Sequence, residues 1–132
     1  MTNFSQTLLP LAIILAIVGG CAKPGPVRVH VSGEVTYRGK PLPAGIITLE
    51  PNVELGPDGP QGFAQIKDGK FDTRDQGRMA CQGPAIVAIQ GYDGVSKGRE
   101  NVLGTALFTN FTQKVELSGN EPVLRIDVKK EK

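Results

Sequence analysis

Tryptophan is absent from this chain, and its 132 residues include only one His and two Cys. Tyrosine is also scarce, with two residues. Sugar recognition usually relies on flat aromatic platforms, so this composition disfavours a strong carbohydrate-binding surface. A hydrolase needs a nucleophile, a base and an orienting group within reach of one another, and His30 is the only imidazole. We therefore expect a protein that is not an enzyme, and we assign no catalytic residue and no cofactor.

Blocks of like charge are also missing. The 15 basic and 13 acidic side chains are interspersed along the chain after Cys21. Nucleic-acid binding needs clustered Lys and Arg, so no nucleic-acid partner is expected. Asp68, Asp72 and Asp75 lie close enough in sequence to suggest oxygen ligands for calcium, but their spacing lacks the dense acidic loop of an EF-hand. Because a tight turn alone explains Asp68, we assign no metal site.

No apolar run is long enough to span a bilayer. The longest, Leu8 to Val18, is interrupted by Pro10 and falls well short of the roughly 20 residues that a spanning helix needs. Its length is typical of the hydrophobic region of a secretory signal peptide. The alternative is a buried core helix, but such a helix should alternate polar with apolar residues, and this run contains no polar residue.

The residues Val18-Gly19-Gly20-Cys21 follow this run directly and resemble the lipobox of bacterial lipoproteins, which signal peptidase II cleaves before a cysteine that becomes lipidated. The resemblance implies cleavage after Gly20 and a lipid on Cys21. Ala22 stands where lipoproteins retained in the inner membrane often carry Asp. The resemblance therefore implies an outer-membrane lipoprotein, on the periplasmic face or at the cell surface.

Three segments follow from this reading. Residues 1–20 are predicted to form a signal peptide with a signal helix, residues 21–26 the lipidated Cys21 with a short tether, and residues 27–129 the folded domain. The mature chain is long enough for one domain with a hydrophobic core, but not for two.

Apolar and polar residues alternate from Val27 to Tyr37, which is typical of a half-buried β-strand. His30 falls on the polar, solvent-facing side, and Gly33 is predicted to mark a bulge or bend. The inner face is predicted to comprise Val27, Val29, Val31, Val35 and Tyr37.

The rest of the chain alternates between short strand patterns and turn residues. Further strands are predicted at Gly45–Glu50, Phe63–Ile66, Lys70–Thr73, Ala85–Ile89, Lys114–Leu117 and Val123–Val128. Asp68-Gly69 is a signal for a tight hairpin turn, Ile47 and Leu49 are predicted to point inward, and Ala85–Ile89 suits a central strand buried on both faces. Asn52–Gly62 is predicted to be an exposed loop. With about seven short strands and no helical periodicity, the pattern predicts an all-β, antiparallel sandwich.

A family resemblance covers most of the mature chain. The stretch Val31 to Gly45, VSGEVTYRGKPLPAG, resembles the opening of carboxypeptidase regulatory-like domains. Ala64 to Phe71 is similar to their A-x-T-D-x-D-G-x-F hairpin, and Gln82 to Ile89 is similar to their P-G-x-Y-x-V-x-I strand. The resemblance implies a seven-stranded Greek-key β-sandwich of the prealbumin (transthyretin) type. Ala85 replaces the family's usual Tyr, so the resemblance implies no tyrosine corner here.

Cys81 has no partner for an intrachain disulfide once Cys21 is lipidated. A catalytic cysteine needs a base nearby, and His30 lies in a different segment of the chain. Cys81 is therefore predicted to be a buried or loop cysteine without a chemical role.

The stretch Gly91–Gln113 shows no clear period and is predicted to be a long loop with at most one irregular strand. Its candidate binding residues are Tyr92, Asp93, Arg99 and Asn101. A pocket with converging polar groups here indicates a small ligand, whereas an exposed surface indicates a protein partner.

The sequence thus favours a lipid-anchored structural or protein-interaction module of the cell envelope. The alternative is a binding domain for envelope carbohydrate or another small ligand. The expected partners are the membrane, through the lipid on Cys21, and an envelope protein or polysaccharide.

Overall fold

The computed structural model describes Gly20 and residues 25–129. The predicted signal helix, the lipidation site Cys21 and the first part of the tether lie outside the described residues. Those residues form ten strands and no helix, so the all-β prediction is confirmed. No helix in this part of the chain is long and apolar enough to cross a membrane. The strands are β1 (Arg28–Val29), β2 (Ser32–Tyr37), β3 (Lys40–Pro41), β4 (Ala44–Pro51), β5 (Gly62–Lys67), β6 (Lys70–Asp72), β7 (Ala80–Cys81), β8 (Gly83–Tyr92), β9 (Ala106–Leu117) and β10 (Val123–Val128).

Eight of these strands form one curled sheet that resembles half a barrel. Its order is β10-β2-β6-β5-β4-β8-β9, with β3 paired to β2 outside this path, and β1 and β7 form a separate two-stranded sheet. Neighbouring strands run antiparallel except β10 and β2, which run parallel with Val123 opposite Ser32. The ten strands exceed the predicted seven because β1, β3 and β7 have only two residues each, too few for an alternating pattern.

The core lies on the concave side of the curled sheet, where alternate residues of the strands meet. Ile47 and Leu49 are fully buried, as predicted. Burial also confirms the predicted inner face at Val29, Val31 and Val35. The prediction for Val27 is wrong, because this residue precedes the first paired strand and is 61% exposed. Tyr37 is half-buried and packs at the margin of the core.

The predicted strand from Val27 to Tyr37 is divided in two at His30 and Val31. Gly33, predicted to form a bulge or bend, is instead paired in regular register with Leu124 on one side and Phe71 on the other. A Cβ atom at Gly33 would collide with the backbone carbonyl of Leu124. The glycine therefore permits close approach of β10 to β2.

The prediction for Gly91–Gln113, a long loop with at most one irregular strand, is confirmed in part. Residues 106–113 belong to β9, a twelve-residue strand that pairs with β8, and the loop covers only residues 93–105. The pairing of β8 with β9 shifts register between Ile89 and Tyr92. Phe108 and Phe111 both pack against the core although they are three positions apart. The register shift is a β-bulge, and it interrupts the alternation of inward and outward residues that a regular strand shows in its sequence.

Two other predictions are confirmed in part. The central strand Ala85–Ile89 lies within β8, between β4 and β9, and one of its faces is buried while the other is half-buried. The loop predicted over Asn52–Gly62 is shorter, because Asn52 is buried and Gly62 begins β5.

The predicted hairpin turn is present between β5 and β6. Asp68 and Gly69 both have positive φ, 51° and 75°, as a two-residue hairpin turn of type I′ requires. Their backbone N–H groups donate to the carbonyls of Pro43 and Leu42. These bonds join the hairpin turn to the fully buried Leu42 at one end of the sheet.

The two ends of the sheet differ in their connections. At one end β2, β5, β8 and β10 begin while β4 and β9 end, and the chain enters the fold there at Gly25. We call this the entry end, and it comprises residues 25–27, the loop 52–61, the connection 73–79 after β6, and the connection 118–122 with Val123, the first residue of β10. The opposite, far end carries the turns Arg38–Gly39 and Asp68–Gly69 and the loop 93–105.

Candidate functional site

The predicted binding loop at the far end has a fixed base made by Asp93. Its Oδ1 accepts hydrogen bonds from the backbone N–H groups of Val95, at 2.9 Å, and Thr105, at 3.0 Å. The backbone N–H of Asp93 donates in turn to the Thr105 carbonyl at 3.0 Å. The carboxylate therefore joins the two sides of the loop. This use of both the side chain and the backbone indicates a structural role for Asp93.

Gly104 makes this arrangement possible. Its φ of +90° is unfavourable for other residues, and a Cβ atom there would overlap the Asp93 carboxylate. The loop closes further where Lys97 Nζ donates to Thr105 Oγ1 at 2.8 Å. The sequence indicates that Asp93 is a polar loop residue but does not indicate that it bonds to Thr105, because an irregular loop has no periodic pattern that predicts which residues meet.

The other three predicted binding residues do not converge on Asp93. Arg99 and Asn101 are exposed on the loop. Tyr92 is half-buried at the end of β8, and its hydroxyl donates to Gln90 Oε1 at 3.3 Å. Of the two principal depressions on the described surface, neither is lined by any of the four predicted residues. The loop thus presents an exposed surface.

His30 is half-buried, although the sequence pattern placed it on the solvent side. Its Nδ1 lies 3.1 Å from Thr73 Oγ1, with which it shares a hydrogen bond. The same oxygen accepts from the backbone N–H of Val31 at 2.9 Å. Thr73 is itself 1% exposed. The imidazole therefore helps to hold Thr73, which follows β6, against the residues His30 and Val31 that separate β1 from β2.

Cys81 is a free, buried cysteine in β7, as predicted. Its Sγ lies 3.5 Å from the carbonyl oxygen of Pro60. The residue as a whole is 2% exposed. Gly59 packs so closely over the sulfur that a Cβ atom there would lie 2.6 Å from it. Reagents in solvent reach this thiol only if the 52–61 loop moves.

A broad depression, which the sequence pattern did not indicate, lies on the outer face of β10, β2, β6 and β5. Its volume is about 1040 Å³. Strand register places Arg125 opposite Glu34, Glu34 opposite Lys70, and Lys70 opposite Lys67. We call these four residues the charged row. Locating it requires the parallel pairing of β10 with β2, which strand patterns alone do not specify.

The ion pairs of this region lie beside the charged row. Arg74 Nη1 is 3.6 Å from Asp72 Oδ1, and its Nη2 pairs with Glu121. No ion pair in residues 25–129 includes Lys67, Lys70 or Arg125. Like charges opposite each other, as at Lys67 and Lys70, disfavour the hairpin. The same stretch of chain contains no group of three His, Cys, Asp or Glu side chains arranged to hold a metal ion.

The strand β9 occupies one edge of the curled sheet. It pairs with β8 alone among the described strands, so the backbone groups along its outer side have no strand partner there. Between Ala106 and Gln113 the strand carries neither a charged residue nor a proline. Long edges of this kind are suited to receive another strand.

A comparison with known proteins found no matching family model, curated protein or solved structure.

Proposed function

We propose that this protein is a non-enzymatic, lipid-anchored module of the cell envelope that binds a protein partner. The observation that supports it best is the edge strand β9, with twelve residues and one unpaired side. Protein partners that add a strand to such an edge gain backbone hydrogen bonds, and neighbouring loops provide specificity. The loop 93–105 leads directly into β9 and exposes Arg99 and Asn101 beside it.

The proposed anchor is a lipid on Cys21, in the outer membrane, with the protein on the periplasmic face or at the cell surface. The lipobox of residues 18–21 supports it. In this arrangement residues 1–20 are removed as a signal peptide, residues 21–26 form the tether, and residues 27–129 form the domain. The far end, with its loop and the beginning of β9, then points away from the membrane.

We further propose that the domain is a Greek-key β-sandwich of the carboxypeptidase regulatory-like, or prealbumin-like, type. The motif from Val31 to Gly45 supports this assignment.

The anchor is tested by replacing Cys21. We expect the Cys21→Ser variant to incorporate no fatty-acid analogue in growing cells and to retain residues 1–20. Cys81→Ser is the matched control and should incorporate label like the unaltered protein. Equal labelling of the Cys21 variant and the unaltered protein contradicts the anchor.

The partner is tested by placing a photo-crosslinking amino acid at Thr112, an exposed residue of β9. Gln65, an exposed residue of β5 on the outer face, is the control position. In intact cells we expect a discrete protein adduct from position 112 and none from position 65. The absence of an adduct at 112, or the same adduct at both positions, contradicts recognition through the edge.

The charged row supports a second candidate, a binding site for envelope polysaccharide or another small charged ligand. Three cationic side chains without ion-pair partners among the described residues line a broad depression together with Glu34. We expect Lys70→Ala or Arg125→Ala to reduce the binding of acidic envelope polysaccharide in calorimetric titration. Lys40→Ala, at an exposed position outside the depression, is the control. Equal binding by all variants excludes the charged row.

A further inference from the structure

We propose that the entry end of the sheet rests on a lipid surface, with Val53 and Leu55 inserted into the interfacial region. This inference rests on the proposed lipid at Cys21. It adds a second, non-covalent membrane contact made by the folded domain.

Exposed apolar side chains lie at both ends of the sheet. Seven large hydrophobic residues are exposed in the described part of the chain. The four at the entry end are Val27, Val53, Leu55 and Val123, with exposures of 61%, 59%, 71% and 70%. The other three lie at the far end: Val95 and Val102 on the loop, and Leu107, 38% exposed, at the start of β9. The two most exposed of the seven, Leu55 and Val123, are therefore both at the end where the chain enters the fold.

Backbone hydrogen bonds and close packing define the shape of the 52–61 loop. Asn52 is buried, and its carbonyl accepts the backbone N–H groups of Leu55, at 3.1 Å, and Gly56, at 3.0 Å. A Cβ atom at Gly56 would come within 2.7 Å of the Pro84 ring, so the loop packs closely on the start of β8. The turn is thus held in place while Val53 and Leu55 remain exposed. Because the backbone of this turn is already ordered before the side chains meet a membrane, less conformational entropy is lost when they bind.

The tether between Cys21 and the domain is short. Gly25 is the first residue of the described range 25–129, and it lies four positions after Cys21. Four residues span at most about 14 Å even when fully extended. A lipid on Cys21 therefore holds the entry end close to the headgroup region, whereas the far end is separated from it by the length of the strands. The apolar residues of the entry end are the ones that meet the lipid.

Charge specifies the type of lipid surface. The 52–61 loop, which carries Val53 and Leu55, contains Glu54 and Asp58 and no Lys or Arg. The two connections beside it add Asp75 and Glu121 against Arg74 and Arg78, so acidic side chains outnumber basic ones at this end. Anionic headgroups would repel these carboxylates near the surface, so the contact suits zwitterionic lipid. Inserting an aliphatic side chain at the interface is favourable, and replacing one with a polar residue should reduce partitioning by about tenfold.

The absence of tryptophan makes the experiment direct, because a single introduced Trp is the only indole in the protein. The processed protein carrying Leu55→Trp is purified from membranes and reconstituted in phosphatidylcholine vesicles containing brominated lipid. Val102→Trp, at the far end and 63% exposed, is the matched control. We expect strong quenching and a blue-shifted emission for the first variant only. If Leu55→Trp alters the circular dichroism spectrum, Val53→Trp replaces it.

The outcomes separate this inference from the anchor. Mass spectrometry of the same sample establishes whether Cys21 carries a lipid, and its absence overturns both proposals. A lipidated protein whose Trp at position 55 remains unquenched overturns the membrane contact alone. Equal quenching at positions 55 and 102 also overturns it, because the contact is then not restricted to the entry end. Stronger quenching in phosphatidylglycerol than in phosphatidylcholine contradicts the preference for zwitterionic lipid.

Discussion

The hydroxyl of Thr73 accepts a hydrogen bond from the backbone N–H of Val31, with 2.9 Å between the oxygen and the nitrogen. The backbone N–H of Thr73 donates to the Val31 carbonyl, also at 2.9 Å. These two bonds lie where the first long strand is divided and regular pairing is interrupted. A single side chain thus satisfies a buried backbone donor that the sheet itself leaves without a strand partner.

Replacing Thr73 with valine should lower the free energy of unfolding by about 1 to 3 kcal/mol, because the buried N–H of Val31 loses its acceptor while the side-chain volume changes little. Chemical denaturation monitored by circular dichroism measures the change. Thr112→Val, at an exposed position on β9, is the control and should have little effect. Equal stability of the two variants contradicts a structural role for the Thr73 hydroxyl.

Gly33→Ala should be strongly destabilising. The added Cβ meets the Leu124 carbonyl and lies 2.9 Å from Phe71 Cε1, so β10 has to move away from β2. Overpacking of this kind costs about 1 to 3 kcal/mol. Gly25→Ala is the control, since nothing lies within 4 Å of its Cβ position. Thermal unfolding of both variants measures the difference, and similar melting temperatures would show that the two strands adjust without strain.

The strands that the sequence predicts well are those with one apolar face. In β4 and β10, buried and more exposed residues alternate along most of the strand, so a period of two identified both. The Asp68-Gly69 turn was predictable because few residue pairs adopt two successive positive φ values. In these cases the residues of the segment itself are sufficient to predict its structure.

The strand β9 was not predictable in the same way. Its register shifts against β8, and as an edge strand it leaves most of its side chains exposed. Phe108 and Phe111 therefore share one side at a spacing that suggests neither strand nor helix. The charged row was hidden for another reason, because it depends on which strands are neighbours, and strand order is not a local property of the chain.

Asp93→Ala should release the far-end loop without unfolding the domain. The substitution removes the acceptor of the Val95 and Thr105 N–H groups, while the core lies elsewhere in the sheet. We expect faster tryptic cleavage after Lys97 and Arg99, both of which lie in this loop. Asp58→Ala, in the entry-end loop, is the control. Unchanged cleavage in the Asp93 variant would show that the other bonds of the loop suffice to close it.

The mature protein should catalyse no hydrolysis of peptides, esters or glycosides. The Nδ1 atom of the half-buried His30 is engaged by Thr73, and Cys81 is buried beneath Gly59 with its Sγ against the Pro60 carbonyl, so the two side chains are not paired as base and nucleophile. Purified protein and the His30→Ala, Cys81→Ser double variant should therefore give the same background rate with each class of substrate. The Cys81 thiol should also react slowly with an alkylating reagent until the protein is unfolded by denaturant. Turnover that is present in the unaltered protein and lost in the double variant would contradict a pure binding role and assign the chemistry to one of these two residues.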